Sequence, residues 1–411
     1  MTLPSFLFVT QHHPPERGAA QVRLGAVTRH LADAGHRVEV VTALPNYPMG
    51  RIFPGWARRP VQVADEGGIR TIRVWVWASM GSGWRRMANY LSFGLMSVVG
   101  LAMASPADWT VVEYPTLFGA LPAVVWSRLR GRAVAVNVAD LWVDAIAEIG
   151  ALRDGRAMRV LRAVEGWMLR QADVVTAVTE GVGIALIAKG VAPDRLLSLP
   201  NGADTEMFQP GPADPDLARR YDLAPGEHVV LYAGTHGYVH GLEVVLDAAD
   251  RLRDRPIRFL LVGGGSEKPA LIAAAAARRL DNVRFHDPVA PEEIAALLRL
   301  SVAGLASVRG AELYRSVRSA KALPVMASGR PVIYCGDDEG SAEVAAIGAG
   351  LVVAPGDGPA LAAAVVRLID HPDEAARMGE AGRCWVVGHA SWPALVSRWV
   401  HQLDDSGAAI S

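Results

Sequence analysis

A loop punctuated by three glycines is the first place where the residue types could do chemistry. Residues 234–241 read GTHGYVHG, follow a short apolar run and precede a helical pattern. Backbone amides at the start of a helix attract anions, so this loop could surround a diphosphate. A lone histidine is usually structural, whereas two in one glycine-rich loop favour a functional role. We therefore predict that His236, Gly237 and His240 contact a phosphate group.

A second glycine-rich loop follows another apolar run. Residues 263–265 are three consecutive glycines, and a helical segment begins at Lys268. This position also suits a nucleotide, and Gly263 and Gly264 are our candidates for contacting it. The GxGxxG spacing is absent here and at Gly18, which disfavours an NAD-dependent dehydrogenase. A tight strand-to-helix turn is the simpler alternative for the triple glycine.

The composition excludes several other classes. The 411 residues carry a formal net charge of −1, so no general attraction to nucleic acid is expected. The two cysteines, Cys335 and Cys384, cannot form a disulfide scaffold, and no zinc-ligand spacing such as CxxC or HExxH occurs. We expect a protein of the reducing cytoplasm that binds no metal. Phosphate-loop, GxSxG and kinase motifs are also absent, while a glycosidase is not excluded by motif alone.

Strands and helices alternate twice along the chain, and the elements must position these loops. Short apolar runs at residues 6–9, 38–41, 70–76, 109–113, 133–137 and 174–178 alternate with helical segments, and the pattern restarts at residues 229–233. Such alternation predicts an α/β fold with two Rossmann-like, doubly wound parallel sheets facing each other across a cleft. We predict an N-terminal domain at residues 1–205, a C-terminal domain at 206–385, and a helix at 386–411 that packs back on the first domain.

One apolar stretch raises the question of membrane contact. Residues 91–104 follow Trp84, Arg85 and Arg86, and they are fewer than the roughly 20 residues that a membrane span needs. A buried helix is the simplest reading, and a surface that meets a lipid is the alternative. The first residues contain no basic segment or cleavage site typical of a secretory signal. The expected location is the cytoplasm, with at most peripheral contact with the inner face of the membrane.

Beyond these single features, a series of motifs runs nearly end to end along the chain: residues 11–20 (QHHPPERGAA), 35–38 (GHRV), 45–48 (PNYP), 140–142 (DLW), 200–204 (PNGAD), 232–234 (YAG), 260–263 (LLVG) and 327–333 (ASGRPVI). The order of these motifs resembles glycosyltransferase family 4, and within it the bacterial transferases of capsule and exopolysaccharide synthesis.

The resemblance implies a GT-B fold, a nucleotide-diphosphate sugar as donor, no metal, and retention of the anomeric configuration. By position, it places Gly18 and Ala19 at the donor's phosphate or sugar. Asp140 would lie on the acceptor side. Gly263 and Gly264 would border the nucleoside, and the loop of residues 234–241 would face the diphosphate.

This chain departs from the family in its most diagnostic segment. Where relatives carry two glutamates, one for the ribose and one for the sugar hydroxyls, this sequence has Pro324 and Ser316. A proline side chain neither donates nor accepts a hydrogen bond, so the ribose must be recognised differently. Donors carrying UDP, GDP or dTDP therefore all stay open.

Lysine is retained in that segment although the chain contains only three lysines, beside 38 arginines. We predict that Lys321 stabilises the leaving diphosphate, helped by Arg318, and that Ser316 is also a donor-binding residue. Asp140 or His13 would orient or deprotonate the acceptor. An epimerase-like or a non-catalytic protein that binds sugar nucleotides is the alternative, and an oxidoreductase is the weakest one. A small natural product and a lipid-linked sugar both suit as acceptor, and the oligomeric state is left open.

Overall fold

The chain folds into two compact units, as the computed structural model shows. The structure describes residues 3–16, 18–47, 49–56, 59–79, 84–114, 117–144, 155–316 and 318–407. The motif residues Arg17 and Pro48 lie outside these ranges. The N-terminal unit contains Met1–Pro200 and Leu395–Ser411, and the C-terminal unit contains Asn201–Ala394.

The N-terminal unit is built on an eight-stranded sheet. Its order is β3-β4-β2-β1-β5-β6-β7-β8, and every pairing is parallel except the β3–β4 hairpin at one edge. The strands are β1 Phe6–Val9, β2 Val38–Ala43, β3 Val61–Asp65, β4 Arg70–Val74, β5 Trp109–Tyr114, β6 Ala133–Val138, β7 Val174–Ala177 and β8 Leu196–Ser198. Strands β1, β2, β5, β6 and β7 are buried along their whole length, which explains their continuous apolar runs.

Helices cover both faces of this sheet. They are α1 Ala19–Asp33, α2 Trp84–Met103, α3 Leu117–Leu129, α4 Arg156–Gln171 and α5 Glu180–Ala188. Buried side chains of α2 to α5 join one cluster with Leu7, Val41 and Val112 of the strands, so these four helices share a face of the sheet.

The last helix of the chain also packs on the N-terminal unit. In α14, Trp392–Asp405, the indole of Trp399 is fully buried and stacks on Phe6 at 5.9 Å. Its ring nitrogen donates to Thr176 Oγ1 at 3.3 Å. This contact ties residues from opposite ends of the sequence into one core.

The C-terminal unit repeats the architecture with six strands, all parallel, in the order β11-β10-β9-β12-β13-β14. The strands are β9 His228–Ala233, β10 Ile257–Val262, β11 Val283–His286, β12 Ser301–Ser307, β13 Val332–Cys335 and β14 Gly350–Val353. The helices are α6 Pro215–Arg220, α7 Glu243–Arg251, α8 Lys268–Ala277, α9 Pro291–Leu300, α10 Ala322–Ala327, α11 Glu339–Ile347, α12 Gly358–Asp370 and α13 Pro372–Trp385.

The predicted fold class is confirmed: both units are Rossmann-like α/β layers with parallel sheets. Two local features differ from expectation. Strand β3 adds an antiparallel edge to the first sheet, and a π-helical turn, Val386–Ala390, precedes α14. Among the described residues, no helix is long and apolar enough to cross a membrane.

Candidate active site

The carboxyl ends of β9 and β10 meet through backbone contacts that only glycine permits. Gly263 has φ +147°, and a Cβ atom there would lie 1.9 Å from the carbonyl oxygen of Gly234. Gly234 has φ +151°, and its Cβ would lie 2.4 Å from Cε of Lys321. The two predicted glycine-rich loops therefore pack directly on each other, and the Lys321 side chain passes over the first of them.

Lys321 projects its ammonium into this loop from the residue that precedes α10. Its Nζ lies 3.2 Å from Nε2 of His240 and 5.8 Å from the ring centre of Tyr232. Burial among these groups lowers the pKa of Lys321 to about 8. No carboxylate is paired with this ammonium among the described residues, although an anion would relieve its burial.

His240 is held in the tautomer that lets it accept from Lys321. Its Nδ1 lies 3.2 Å from the carbonyl oxygen of Ser307, so Nδ1 carries the proton and Nε2 faces the ammonium. Burial and the neighbouring charge of Lys321 lower the pKa of His240 to about 4. The sequence prediction brought His240 and Lys321 to one site, and the structure places them in direct contact.

The side chain of His236 lies in a different environment from that of His240, the other histidine of the loop. Its side chain is completely buried, packs beside the rings of Tyr232 and Phe285, and has no hydrogen-bond partner among the described residues. Burial, followed by the charges of Lys268 and Lys321, lowers its pKa to about 4. Its backbone joins the two loops instead, because its amide donates to the carbonyl oxygen of Gly264 at 2.8 Å.

Arg318 is already engaged by a carboxylate. Its Nε and Nη2 lie 2.7 Å and 2.5 Å from the two oxygens of Glu343 in α11, and its guanidinium lies 5.6 Å from the ring centre of Trp385. Its role in donor binding stays a prediction, because the bidentate pair with Glu343 would compete with any contact between Arg318 and the donor. Ser316 is half-buried on the same approach to α10.

Pro324 fits its position for a local reason. It occupies the first turn of α10, where a backbone N–H has no partner inside the helix, so proline costs no hydrogen bond. The carbonyl oxygen of Pro324 accepts from the amide of Ser328 at 3.0 Å. The helix thus forms normally without the family's glutamate.

In the N-terminal unit, helix α1 begins where the resemblance places a donor contact. Gly18 precedes its first residue, Ala19, and no acidic residue lies in the first turn. The positive end of the helix dipole is therefore not neutralised by a side chain of that turn. The contact of Gly18 and Ala19 with the donor stays a prediction.

Asp140 lies just beyond β6 beside a buried polar cluster that sequence analysis missed. Arg23 of α1 donates to Asn137 Oδ1 at 3.0 Å and to the carbonyl oxygen of Leu199 at 2.7 Å. Its Nη1 is 3.6 Å from Glu113 Oε1, and Asn137 Nδ2 donates to the other oxygen of Glu113. Complete burial raises the pKa of Glu113 to about 7.

The Asp140 side chain itself is open to solvent at this edge. Partial desolvation by the surrounding protein raises its pKa, and the charge of Arg23 acts in the opposite direction. A signal for the cluster does exist in the sequence, since Glu113 and Asn137 end adjacent strands in the same register. Two polar side chains at neighbouring carboxyl ends are the expected mark of a functional edge.

His13 lies in the segment that follows β1 in the N-terminal unit. It is buried, its Nε2 lies 3.4 Å from Thr28 Oγ1, and its Nδ1 has no partner among the described residues. Burial, aided by the charge of Arg73, lowers its pKa to about 3. Its predicted contact with the acceptor stays a prediction.

Comparison with known proteins shows the family. Residues 18–202 match the model described as glycosyl transferase 4-like domain, and residues 227–371 match that of glycosyl transferases group 1. Over 300 residues the chain is 30% identical to the putative colanic acid biosynthesis glycosyl transferase WcaI of Escherichia coli, covering 70% of this chain and 73% of that protein. The chain belongs to glycosyltransferase family 4. The resemblance read from the motifs is thereby confirmed.

Two further proteins are similar to this glycosyltransferase over nearly its whole length. It is 28% identical to the 2-deoxystreptamine glucosyltransferase of Streptomyces kanamyceticus over 391 residues, which cover 91% of this chain and 97% of the relative. The crystal structure of Anabaena Alr3699/HepE in complex with UDP-glucose matches with a TM-score of 0.72 at 15% identity, over 98% of this chain and 100% of that one. The shared architecture is the GT-B fold.

These findings decide between the alternatives for the activity. The relatives are glycosyltransferases, and this supports an enzyme that transfers a glycosyl group. It disfavours the epimerase-like and the non-catalytic alternatives. Among the residues that the structure describes, no group of three or more histidine, cysteine or carboxylate side chains could hold a metal ion.

Proposed function

We propose that this glycosyltransferase uses a nucleoside diphosphate sugar and holds its diphosphate between Lys321 and the loop of residues 234–241. The observation that carries the proposal is the half-buried ammonium of Lys321, whose hydrogen-bond partner is a neutral histidine and not a carboxylate. A partly desolvated cation without a counter-ion is costly, and a diphosphate would supply the missing charge.

The donor's nucleoside is left open within this proposal. HepE, which shares the fold, has been crystallised with UDP-glucose, and this supports a sugar nucleotide as the donor class. Pro324 and Ser316 leave the ribose and sugar hydroxyls without the two carboxylates of the family. UDP-, GDP- and dTDP-sugars are therefore all candidates, to be separated by measurement.

The chemistry follows from the charge at the leaving group. An acceptor oxygen forms a bond to the anomeric carbon while the bond from that carbon to the diphosphate oxygen breaks, and the electron pair leaves with the diphosphate. The ammonium of Lys321 would stabilise this developing negative charge in a site from which water is largely excluded. A fixed cation can do this without a metal, and the proposal includes metal independence.

Asp140 is the proposed acceptor-side residue. Its carboxylate is open to solvent, and the protein raises its pKa, as befits a group that accepts a proton from a hydroxyl. We prefer Asp140 to His13 for this role because the His13 side chain is buried. Retention of configuration is proposed from the family resemblance, with the acceptor attacking from the face that the diphosphate leaves.

A product assay tests the proposal. The purified enzyme is incubated with UDP-, GDP- and dTDP-glucose in turn, each with a panel of small-molecule and lipid-linked acceptors, and products are read by mass spectrometry. We expect transfer from at least one donor, unchanged by a chelator, and an NMR coupling constant that reports retention. Neither transfer nor donor hydrolysis with any of the three donors would contradict the proposal.

A further inference from the structure

An exposed apolar face covers one side of the N-terminal unit. Helices α2 to α5 share one face of the sheet, and their outer sides face away from it. Twelve of the 21 large apolar side chains exposed among the described residues lie on these four helices. Contiguous exposed apolar surface of this kind marks a site of interaction.

Helix α2 contributes the longest part of this face. Its exposed apolar residues recur at intervals of three or four, with Val98 and Val99 adjacent, and this spacing places them on one side of the helix. Trp84 at its start is 68% exposed and Leu95 at its middle is 75% exposed. The side chains of this stripe are Trp84, Met87, Leu91, Leu95, Val98, Val99 and Met103.

Helices α3 and α4 add an apolar groove beside the stripe. It is open to solvent, encloses about 400 Å³, and is lined only by Leu121, Val160, Ala163, Val164 and Trp167. Leu129 at the end of α3 is 81% exposed. An apolar groove bordered by exposed leucine and valine has the chemistry to receive a hydrocarbon chain.

The exposed charged residues of helices α2, α3 and α4 are all arginines. Helices α2, α3 and α4 contain one carboxylate, Glu165, which is buried and pairs with Lys189 at 2.7 Å. The exposed arginines on these helices and the turn after α3 are Arg85, Arg86, Arg128, Arg130, Arg156, Arg159, Arg162 and Arg170. The whole chain has a net charge of −1, whereas these three helices and the turn after α3 carry eight exposed arginines, of which Arg128 pairs with Asp173.

We propose that this face, formed by the outer sides of α2, α3 and α4, docks on the surface of an anionic phospholipid bilayer. Apolar side chains would enter the interface while arginines contact lipid phosphates, and the interfacial preference of tryptophan suits Trp84. A second copy of the chain fits the face poorly, because a two-fold contact would set its arginines against one another.

The docking face reaches the edge of the sheet where Asp140 lies. Tyr90 of α2 packs against Trp142 with ring centres 6.1 Å apart, and Asn89 accepts from Gln11 at 2.6 Å. Bilayer docking would therefore bring lipid headgroups to the acceptor side, which favours a lipid-linked acceptor. This second step rests on the proposed function, whereas the docking does not.

Vesicle binding in the absence of donor and acceptor tests the docking alone. The full chain is sedimented with vesicles of equal parts phosphatidylcholine and phosphatidylglycerol, and with phosphatidylcholine alone. We expect binding to the anionic vesicles that weakens with salt. Leu95→Glu should reduce the partition coefficient about tenfold or more, and Arg85→Ser with Arg86→Ser about thirtyfold at low salt.

Ile272→Glu is the matched control, since Ile272 is an exposed apolar residue of α8 in the other unit. It should bind vesicles as the wild type does, and circular dichroism should show all variants folded. Failure of the wild type to bind, equal binding to neutral vesicles, or equal loss in Leu95→Glu and Ile272→Glu would overturn the proposal. Self-association that Leu95→Glu abolishes, without vesicle binding, would assign the face to a second copy.

Discussion

Replacing Lys321 with methionine should make the protein more stable and the enzyme much slower. Burial lowers the pKa of Lys321 from 10.5 to about 8, so the folded state disfavours the charged form. At about 1.4 kcal/mol for each pK unit, the burial of this charge costs roughly 3 kcal/mol at neutral pH. The substitution also removes the hydrogen bond to His240, which lowers the gain in stability by about 1 kcal/mol. We expect Lys321→Met to raise the free energy of unfolding by about 2 kcal/mol.

The same substitution removes the cation proposed to stabilise the leaving diphosphate. Loss of one preorganised charge-stabilising group typically lowers turnover by about 10²- to 10³-fold. Denaturant unfolding at pH 7 and a donor turnover assay measure the two effects on the same preparations. A variant that is less stable than the wild type, or one with unchanged turnover, would refute the assignment.

Lys189→Met provides a contrast in the N-terminal unit. Lys189 pairs with Asp144 and with the buried carboxylate of Glu165, and these partners raise its pKa. Its removal leaves the buried Glu165 without a counter-charge, with only the hydrogen bond from Tyr114, so stability should fall by about 3 kcal/mol. Turnover per folded molecule should stay close to the wild-type value. Lys189→Met should therefore lose stability and keep turnover, whereas Lys321→Met should gain stability and lose turnover.

Three further predictions concern Lys321, Gly234 and Asp140. The value of kcat/KM should fall as pH rises through about 8, because Lys321 then loses its charge, while His240 with a pKa of about 4 stays neutral across the range; a pH profile flat to pH 10 would contradict this. Gly234→Ala should lower turnover about tenfold or more by displacing Lys321. Gly226 also has a positive φ, +85°, but no atom lies within 4 Å of its Cβ, so Gly226→Ala should cost only about 1 kcal/mol of stability. Asp140→Asn should reduce kcat about 10²-fold with little change in donor KM, and equal loss of both would indicate a binding role instead.

Much of the fold was predictable because the central strands are short, apolar and bounded by turns. Strand β1 begins and ends at the residues expected, since its whole length is buried and the polar residues Ser5 and Thr10 flank it. Strand β3 was missed because it is an edge strand with one half exposed, and its sequence VQVAD carries a weak pattern. Helix α2 was expected to be buried, but an apolar run alone does not tell a helix with one exposed apolar face from one enclosed on all sides.

The site was predictable in its loops and less so in its side chains. Glycines at 234 and 263 mark close backbone contacts, and the structure shows those contacts. The burial of His236 could not be read from the sequence, because it depends on how the loop after β10 covers the loop after β9. The cluster of Arg23, Glu113 and Asn137 joins residues far apart in sequence, which meet only once the strand order is known.

A thermal-shift measurement with UDP, GDP and dTDP tests the central claim most directly, because a ligand that binds the folded state alone raises its melting temperature. At least one of the three should stabilise the wild-type enzyme, and the same nucleotide should lose most of its effect on Lys321→Met. Stabilisation of both proteins to the same extent, or of neither by any of the three, would contradict a diphosphate site at Lys321 and His240.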